Sequence, residues 1–163
     1  MHIQRDLADE IWLRRYAKIR EHNPESEVNL APNCIGYRVR LLSRVITGIY
    51  DEALAPLKLK GSQFNLLDVV SRRGPLFTVE LNRLTKMDKS TASRNLERMR
   101  RRGWLSLSTA PGTKGQAVSI TASGLKILRA GYPLWRKAQG EATRRLGSDG
   151  TQALRLIMRA IND

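Results

Sequence analysis

The sequence predicts a mainly α-helical chain built around a winged helix-turn-helix lobe, with a small β-hairpin as the wing and helical segments on either side. Three observations predict it. A short apolar-periodic stretch at 79–86 leads directly into a second, well-capped helix, Asp88 followed by KSTASRNLERMRRRG. Two alternating stretches separated by a Pro-Gly turn then spell a hairpin. Basic side chains concentrate over the same region: residues 79–115 hold 9 basic and 3 acidic side chains, whereas residues 1–35 hold 5 and 6.

The elements follow in order. Residues 4–22 read as an amphipathic helix, with Leu7, Ile11, Trp12, Tyr16 and Ile19 near one stripe. Residues 23–33 form a linker marked by Pro24 and Pro32. A second helix is expected over about 34–56, with Leu41, Leu42, Val45, Ile46 and Ile49 as its apolar face and Pro56 at its end. Ser62 is the expected N-cap of a helix at 63–72 that turns Phe64, Leu67 and Val70 inward. Gly74-Pro75 ends it, Leu76–Thr78 forms a very short strand, and the helix at 79–86 buries Val79, Leu81 and Leu84.

The next helix, 88–102, carries most of the functional reading. Asp88 is its N-cap. Ala92, Leu96 and Met99 recur at i, i+4 and i+7 and must face the core. Gly103 suits a left-handed C-terminal cap, and Arg100, Arg101 and Arg102 complement the helix dipole as solvated helix-end charges. Trp104–Thr109 alternates as a strand, 110–115 (APGTKG) is the turn, and Ala117–Ile120 is the return strand with Val118 and Ile120 on one face. Thr121 caps a long helix to about Leu146, with Leu125, Leu128, Tyr132 and Trp135 apolar and a kink expected at Gly131 and Pro133. After Gly147 a last helix over 149–161 turns Leu154, Ile157 and Ile161 inward.

Composition narrows the function classes. The 163 residues allow one domain with a real core, and the 41% apolar content is ordinary for a globular chain. The net charge of +14 exceeds what solubility needs and attracts polyanions. A single cysteine, Cys34, excludes an internal disulfide, and with His2 and His22 as the sole histidines no zinc site and no cofactor is expected. No apolar run approaches membrane-spanning length, and Asp6, Asp9 and Glu10 interrupt the N-terminal segment, so a cytoplasmic protein with no membrane partner is expected. With no Cys/His pair and no nucleotide-binding glycine loop in the sequence, an enzyme is not expected.

The element order suggests a mechanism. In a winged helix-turn-helix the second helix enters the major groove of double-stranded DNA N-terminal end first. The small polar groups Ser90, Thr91 and Ser93 permit close approach there. Arg94 is a long donor suited to bidentate contact with guanine O6 and N7. Lys89 and the first helical amides suit phosphate. Asn95 and Arg98 lie on the same outward surface, and Thr113 and Lys114 at the hairpin tip reach the adjacent minor groove or its phosphates.

These residues resemble the MarR family of transcription regulators over about 35–162. The resemblance rests on GPLFTVELNRLTKMDKSTASRNLERMRRRGWL (Gly74–Leu105), ITASGLKIL (Ile120–Leu128), PLWRKAQ (Pro133–Gln139) and SRVITGIYDEALAPLKL (Ser43–Leu59). It implies a homodimer on a pseudo-palindromic operator, usually a repressor, with release of DNA by a small acidic or aromatic effector. The implied division is an N-terminal extension and linker at 1–33, a dimerisation or connecting helix at 34–60, the DNA-binding lobe at 61–120, and C-terminal dimerisation helices at 121–163. The family wing carries an Asp-x-Arg pair that is missing from 110–115, where Lys114 is the basic substitute. The family's peroxide-sensing cysteine aligns with Gly36 rather than Cys34, so Cys34 is expected to be packed or inert. Arg38, Arg40 and Arg44 lie on the helix that borders the family's ligand cleft; one of them is a candidate partner for an acidic effector, beside the alternative of solvated or interchain charges.

The alternatives are a non-specific architectural nucleic-acid binder, a redox-responsive regulator acting through Cys34, and a winged helix used as a protein adaptor. The polar Lys89–Asn95 run disfavours the adaptor.

Overall fold

The structure, a computed structural model, describes residues 34–109 and 115–162. The helix expected over 4–22, the linker at 23–33 and the wing tip with Thr113 and Lys114 lie outside these residues. The chain divides into two compact units, Met1–Ser43 and Arg44–Asp163.

Helix α1, Ile35–Leu54, begins in the first unit and continues into the second. Its expected apolar face is only partly inward. Ile49 is buried, and Ile46 packs beside it on Ala138 and Ala142, but Leu41, Leu42 and Val45 are 48, 39 and 44% exposed. A 3-10 turn, Ala55–Leu57, absorbs Pro56 near its start, and Lys58 turns the chain through φ 52°.

Helix α2 spans Gly61–Arg73. Its N-terminus is not held by Ser62, which lies inside the first turn. The Asp51 carboxylate accepts from the Gly61 N–H at 2.8 Å, and the buried Gln63 side chain accepts from the Lys60 N–H at 3.1 Å. One part of the cap, Gln63, is local, and the other comes from ten residues earlier, beyond the reach of a local reading. Phe64, Leu67 and Val70 point inward as expected.

Strand β1, Leu76–Phe77, precedes helix α3, Thr78–Thr85. Leu81 is fully buried and Leu84 partly so, but Val79 is 74% exposed. Residues two apart on a helix face opposite ways, so burying Leu81 turns Val79 outward. Helix α4, Lys89–Arg101, buries Ala92, Leu96 and Met99, and Gly103 closes it at φ +70°. Strands β2, Leu105–Ser108, and β3, Ala117–Ile120, pair antiparallel with Leu107 opposite Val118. β3 also pairs with β1, giving the order β1-β3-β2.

Helix α5, Ala122–Asn162, is capped by Thr121, whose Oγ1 accepts from the Gly124 N–H at 3.0 Å. The non-helical dihedrals fall at Gly147 (φ 68°), the expected helix break, and not at Gly131 or Pro133, the expected kink. Gly131 has a packing role instead: a Cβ there would lie 2.9 Å from the Phe64 ring. Beyond the break Leu154 is half-buried, but Ile157 and Ile161 are 53 and 71% exposed rather than inward.

One apolar cluster joins α2, α3, α4, the sheet and α5 through Leu66, Leu67, Leu81, Met99, Leu105, Val118 and Leu128. Burial of each large side chain contributes about 1.5–3 kcal/mol. This core fixes α4 by one face only and leaves the other to solvent.

Candidate nucleic-acid interface

The site is built on the N-terminal half of α4. Asp88 sits outside the helix with extended dihedrals, and its Oδ1 accepts from the Thr91 N–H at 2.8 Å and from the Ser90 hydroxyl at 2.7 Å. Hydrogen bonds from Thr91, then from Ser90, hold the Asp88 carboxyl well below the usual carboxylate range. The first turn of α4 is thus held by an ionised carboxylate that takes hydrogen bonds from Thr91 and Ser90.

The structure brings the α4 candidates onto one surface. Lys89, Ser90, Ser93, Arg94 and Arg98 are exposed, while Thr91 and Asn95 are half-buried. Ser90, Arg94 and Arg98 follow one another at i+4 and form a stripe. Arg94 folds back along it: its Nε donates to the Ser90 carbonyl at 3.2 Å and its Nη2 to the Ser90 hydroxyl at 3.3 Å. Ser90 therefore links the cap to the guanidinium.

Lys89 and Ser93 lie on the adjacent flank. There they line a cleft of about 420 Å³ together with Thr78, Asn82, Glu97 and Gln116. The Asn82 Oδ1 is buried in this setting without a hydrogen-bond partner among the described residues. Sequence reading misses this flank, because Asn82 and Gln116 join it only through the fold.

The basic residues at the far end of α4 have structural partners. Arg100 makes a bidentate pair with Glu97, with both contacts at 2.8 Å. Arg102 donates to the Lys58 carbonyl at 2.6 Å and lies 4.8 Å over the Trp104 ring, which ties the α4 end to the turn after α1. Thr113 and Lys114 fall outside the described residues. Arg38, Arg40 and Arg44 are exposed on α1, the first two in the first unit and Arg44 at the start of the second.

A second cleft in the second unit, of about 560 Å³, lies among α1, α2 and α5, with Tyr50, Asp51, Asn65, Met87, Trp135 and Gln139 in its walls. The Tyr50 hydroxyl donates to Gln139 Oε1 at 2.7 Å, and burial raises the Tyr50 pKa. No signal in the sequence singles out these residues as a group. Among the described residues no cluster of His, Cys, Asp and Glu suits a metal ion, and no helix is long and apolar enough to cross a membrane.

Comparison with known proteins fits this arrangement. A MarR family profile matches residues 57–114, which covers α2 through β2 and ends before β3. The crystal structure of the transcriptional regulator MosR from M. tuberculosis is 30% identical, with a TM-score of 0.68 over 79% of this chain and 96% of that one. The multiple antibiotic resistance protein MarR of Escherichia coli is 23% identical over 129 residues, which are 78% of this chain and 90% of MarR. The structure of a cysteine-to-serine mutant of E. coli MarR with operator DNA superposes with a TM-score of 0.72 at 22% identity, over 83% of this chain and 99% of that chain. Bordetella bronchiseptica BpsR, described in terms of regulation of its DNA binding by 6-hydroxynicotinic acid, superposes at 0.71 with 20% identity over 79% and 93% of the two chains. Members of this family regulate transcription and are not enzymes. A helix presented by its polar face, a wing built on β2 and β3, and these likenesses agree on one conclusion: the chain belongs to the MarR family of transcription regulators.

Proposed function

We propose that this protein is a cytoplasmic, sequence-specific repressor that binds a pseudo-palindromic operator as a homodimer and leaves it when a small effector binds. One observation carries the DNA reading. α4 keeps Ala92, Leu96 and Met99 in the core and presents Lys89, Ser90, Ser93, Arg94 and Arg98 to solvent. Arg94 is the base reader, Lys89 and Arg98 neutralise phosphate, and Ser90, Thr91, Ser93 and Asn95 allow close approach to the groove. Thr113 and Lys114 extend the contact from the wing. The E. coli MarR mutant of similar fold, whose structure contains operator DNA, is a precedent for DNA binding by such an architecture.

Exposed apolar side chains support the homodimer. Val45 on α1 and Leu156, Ile157, Met158 and Ile161 on α5 are 44 to 71% exposed, more than an isolated chain ordinarily leaves in helices. A division into a lobe at 61–120 and dimerisation helices at 34–60 and 121–163 follows from this reading. Light scattering checks it, with an expected mass twice the 18.5 kDa of one chain.

The effector reading draws support from the 560 Å³ cleft, which has the size of a small-molecule site. BpsR, whose DNA binding is regulated by 6-hydroxynicotinic acid, is a precedent for such control. Within the second unit, Arg44 is not among the residues that line this cleft.

Selection of genomic fragments by the purified protein at about 150 mM salt, where non-specific attraction is already weakened, tests the DNA reading. Enrichment of a short inverted repeat is expected. Uniform recovery of fragments, lost as salt rises, would replace the repressor with an architectural binder.

A further inference from the structure

The cleft among α1, α2 and α5 has an unusual charge. Of the residues that line it, Asp51 alone bears a formal charge, and the lining contains no Lys, Arg or His. The rest is apolar or neutral: Ile46, Met87 and Trp135 offer hydrocarbon and ring surface, and the Tyr50 phenol, its pKa raised by burial, stays neutral while donating to Gln139. Trp135 is held in place by stacking on Phe64, with ring centroids 6.2 Å apart and planes 15° from parallel.

The two oxygens of Asp51 have different duties. Oδ1 accepts from the Gly61 N–H at 2.8 Å and caps α2. Oδ2 faces the Lys60 ammonium at 3.1 Å, and the Lys60 side chain is 61% exposed. The pair is weakly held on the Lys60 side, because that ammonium keeps much of its water while it pairs. Lys60 can therefore leave Oδ2 without disturbing the cap.

Resting on the reading of this cleft as the effector site, we propose that it selects an aromatic amine and that Lys60 is an exchangeable counter-ion keeping the Asp51 place until the amine arrives. A ligand ammonium would replace the Lys60 ammonium at Oδ2, and its ring would lie against Trp135, Met87 and Ile46. An aromatic wall beside a carboxylate favours a cation twice, through the ion pair and through the ring face. A carboxylate ligand meets the opposite situation. It would enter a partly dehydrated wall whose own charge is negative, with no cation in the lining to receive it.

Three probes of one shape and different charge test this: 2-phenylethylamine, 2-phenylethanol and phenylacetate, titrated by calorimetry into the full-length protein at neutral pH. The expected order of affinity is amine, alcohol, acid, with tenfold or more between amine and acid. Asp51→Asn keeps an Oδ1 acceptor for Gly61 and removes the charge, so it should bring the amine down to the level of the alcohol. Lys60→Met should tighten the amine several-fold, since the competitor is gone, and leave the alcohol unchanged. Tightest binding by phenylacetate, weakened by Lys60→Met, would overturn the charge selectivity while keeping the cleft as an effector site. No binding by any of the three at millimolar concentration would overturn the effector reading of the cleft and this inference with it.

Discussion

Arg94 and Asp88 put a proposed recognition role and a stabilising one into one short segment. Under the proposed DNA reading, Arg94→Ala should cost about 1–3 kcal/mol on the operator and relax discrimination at one base pair per half-site, while binding to random DNA changes little. Competition binding with operator and scrambled duplexes measures both, and an equal loss on the two would remove Arg94 from base reading. Asp88 acts on the helix rather than on DNA. Its folded-state pKa is depressed by Thr91 and Ser90, so its stabilising effect is complete above its unfolded pKa of about 3.9 and is lost as pH falls toward the depressed value. Asp88→Asn should lower the denaturation midpoint at neutral pH and flatten its decline between about pH 5 and pH 2. A variant with the same acid profile as the parent would show that the cap carries no such linkage.

At the scale of elements, α4 is legible because every signal it needs is local. The cap at Asp88, the buried Ala92, Leu96 and Met99, and the left-handed Gly103 fall within sixteen consecutive residues, and the structure matches the sequence at each. The strands of the hairpin are legible by alternation, and Thr121 by its position. The cap of α2 is not, because Asp51 reaches it across a turn and leaves Ser62 as the nearer but wrong choice. Val79 and the outer face of α1 look inward in the sequence because apolar character marks a surface to be covered without saying what covers it. Gly131 looks like a flexible point, although a close approach demands it. Phe64 is 3% exposed and held by Tyr132 edge-on and Trp135 face-on, so its ring has no room to retreat. In Gly131→Ala, overpacking of about 1–3 kcal/mol should outweigh the roughly 1 kcal/mol that alanine gains in helix propensity. Urea denaturation should show a net loss of stability, and a gain would mean that α2 and α5 adjust their separation freely. The polar outer face of α4 is legible from the pattern, whereas the second cleft is not, since Tyr50, Asp51, Trp135 and Gln139 are gathered only by the packing of α1 and α5 onto α2.

For the whole molecule, charge and apolar exposure point to two different partners. The net charge of +14 sets the response to salt. If a dimer neutralises about 6–10 phosphates, operator affinity should fall by about a thousandfold or more between 50 and 200 mM salt. Fluorescence anisotropy with a labelled duplex measures the slope, and a nearly flat dependence would mean that phosphate contacts are few. The exposed apolar groups of α1 and α5 lie away from α4 in sequence, so under the proposed reading the surfaces for DNA and for a second copy would be encoded separately along the chain.

The contact between Arg94 and Ser90 has a consequence for selectivity. In the free protein the guanidinium already has two acceptors, the carbonyl and hydroxyl of Ser90. Under the proposed DNA reading, a base would have to displace this resident alternative before it gained the side chain. Guanine, which presents two acceptors in the required fork, can do so; a base presenting one would leave the side chain better satisfied where it rests. On that reading Ser90 would set a threshold: weak matches would be refused by an intramolecular competitor before any clash with DNA was needed.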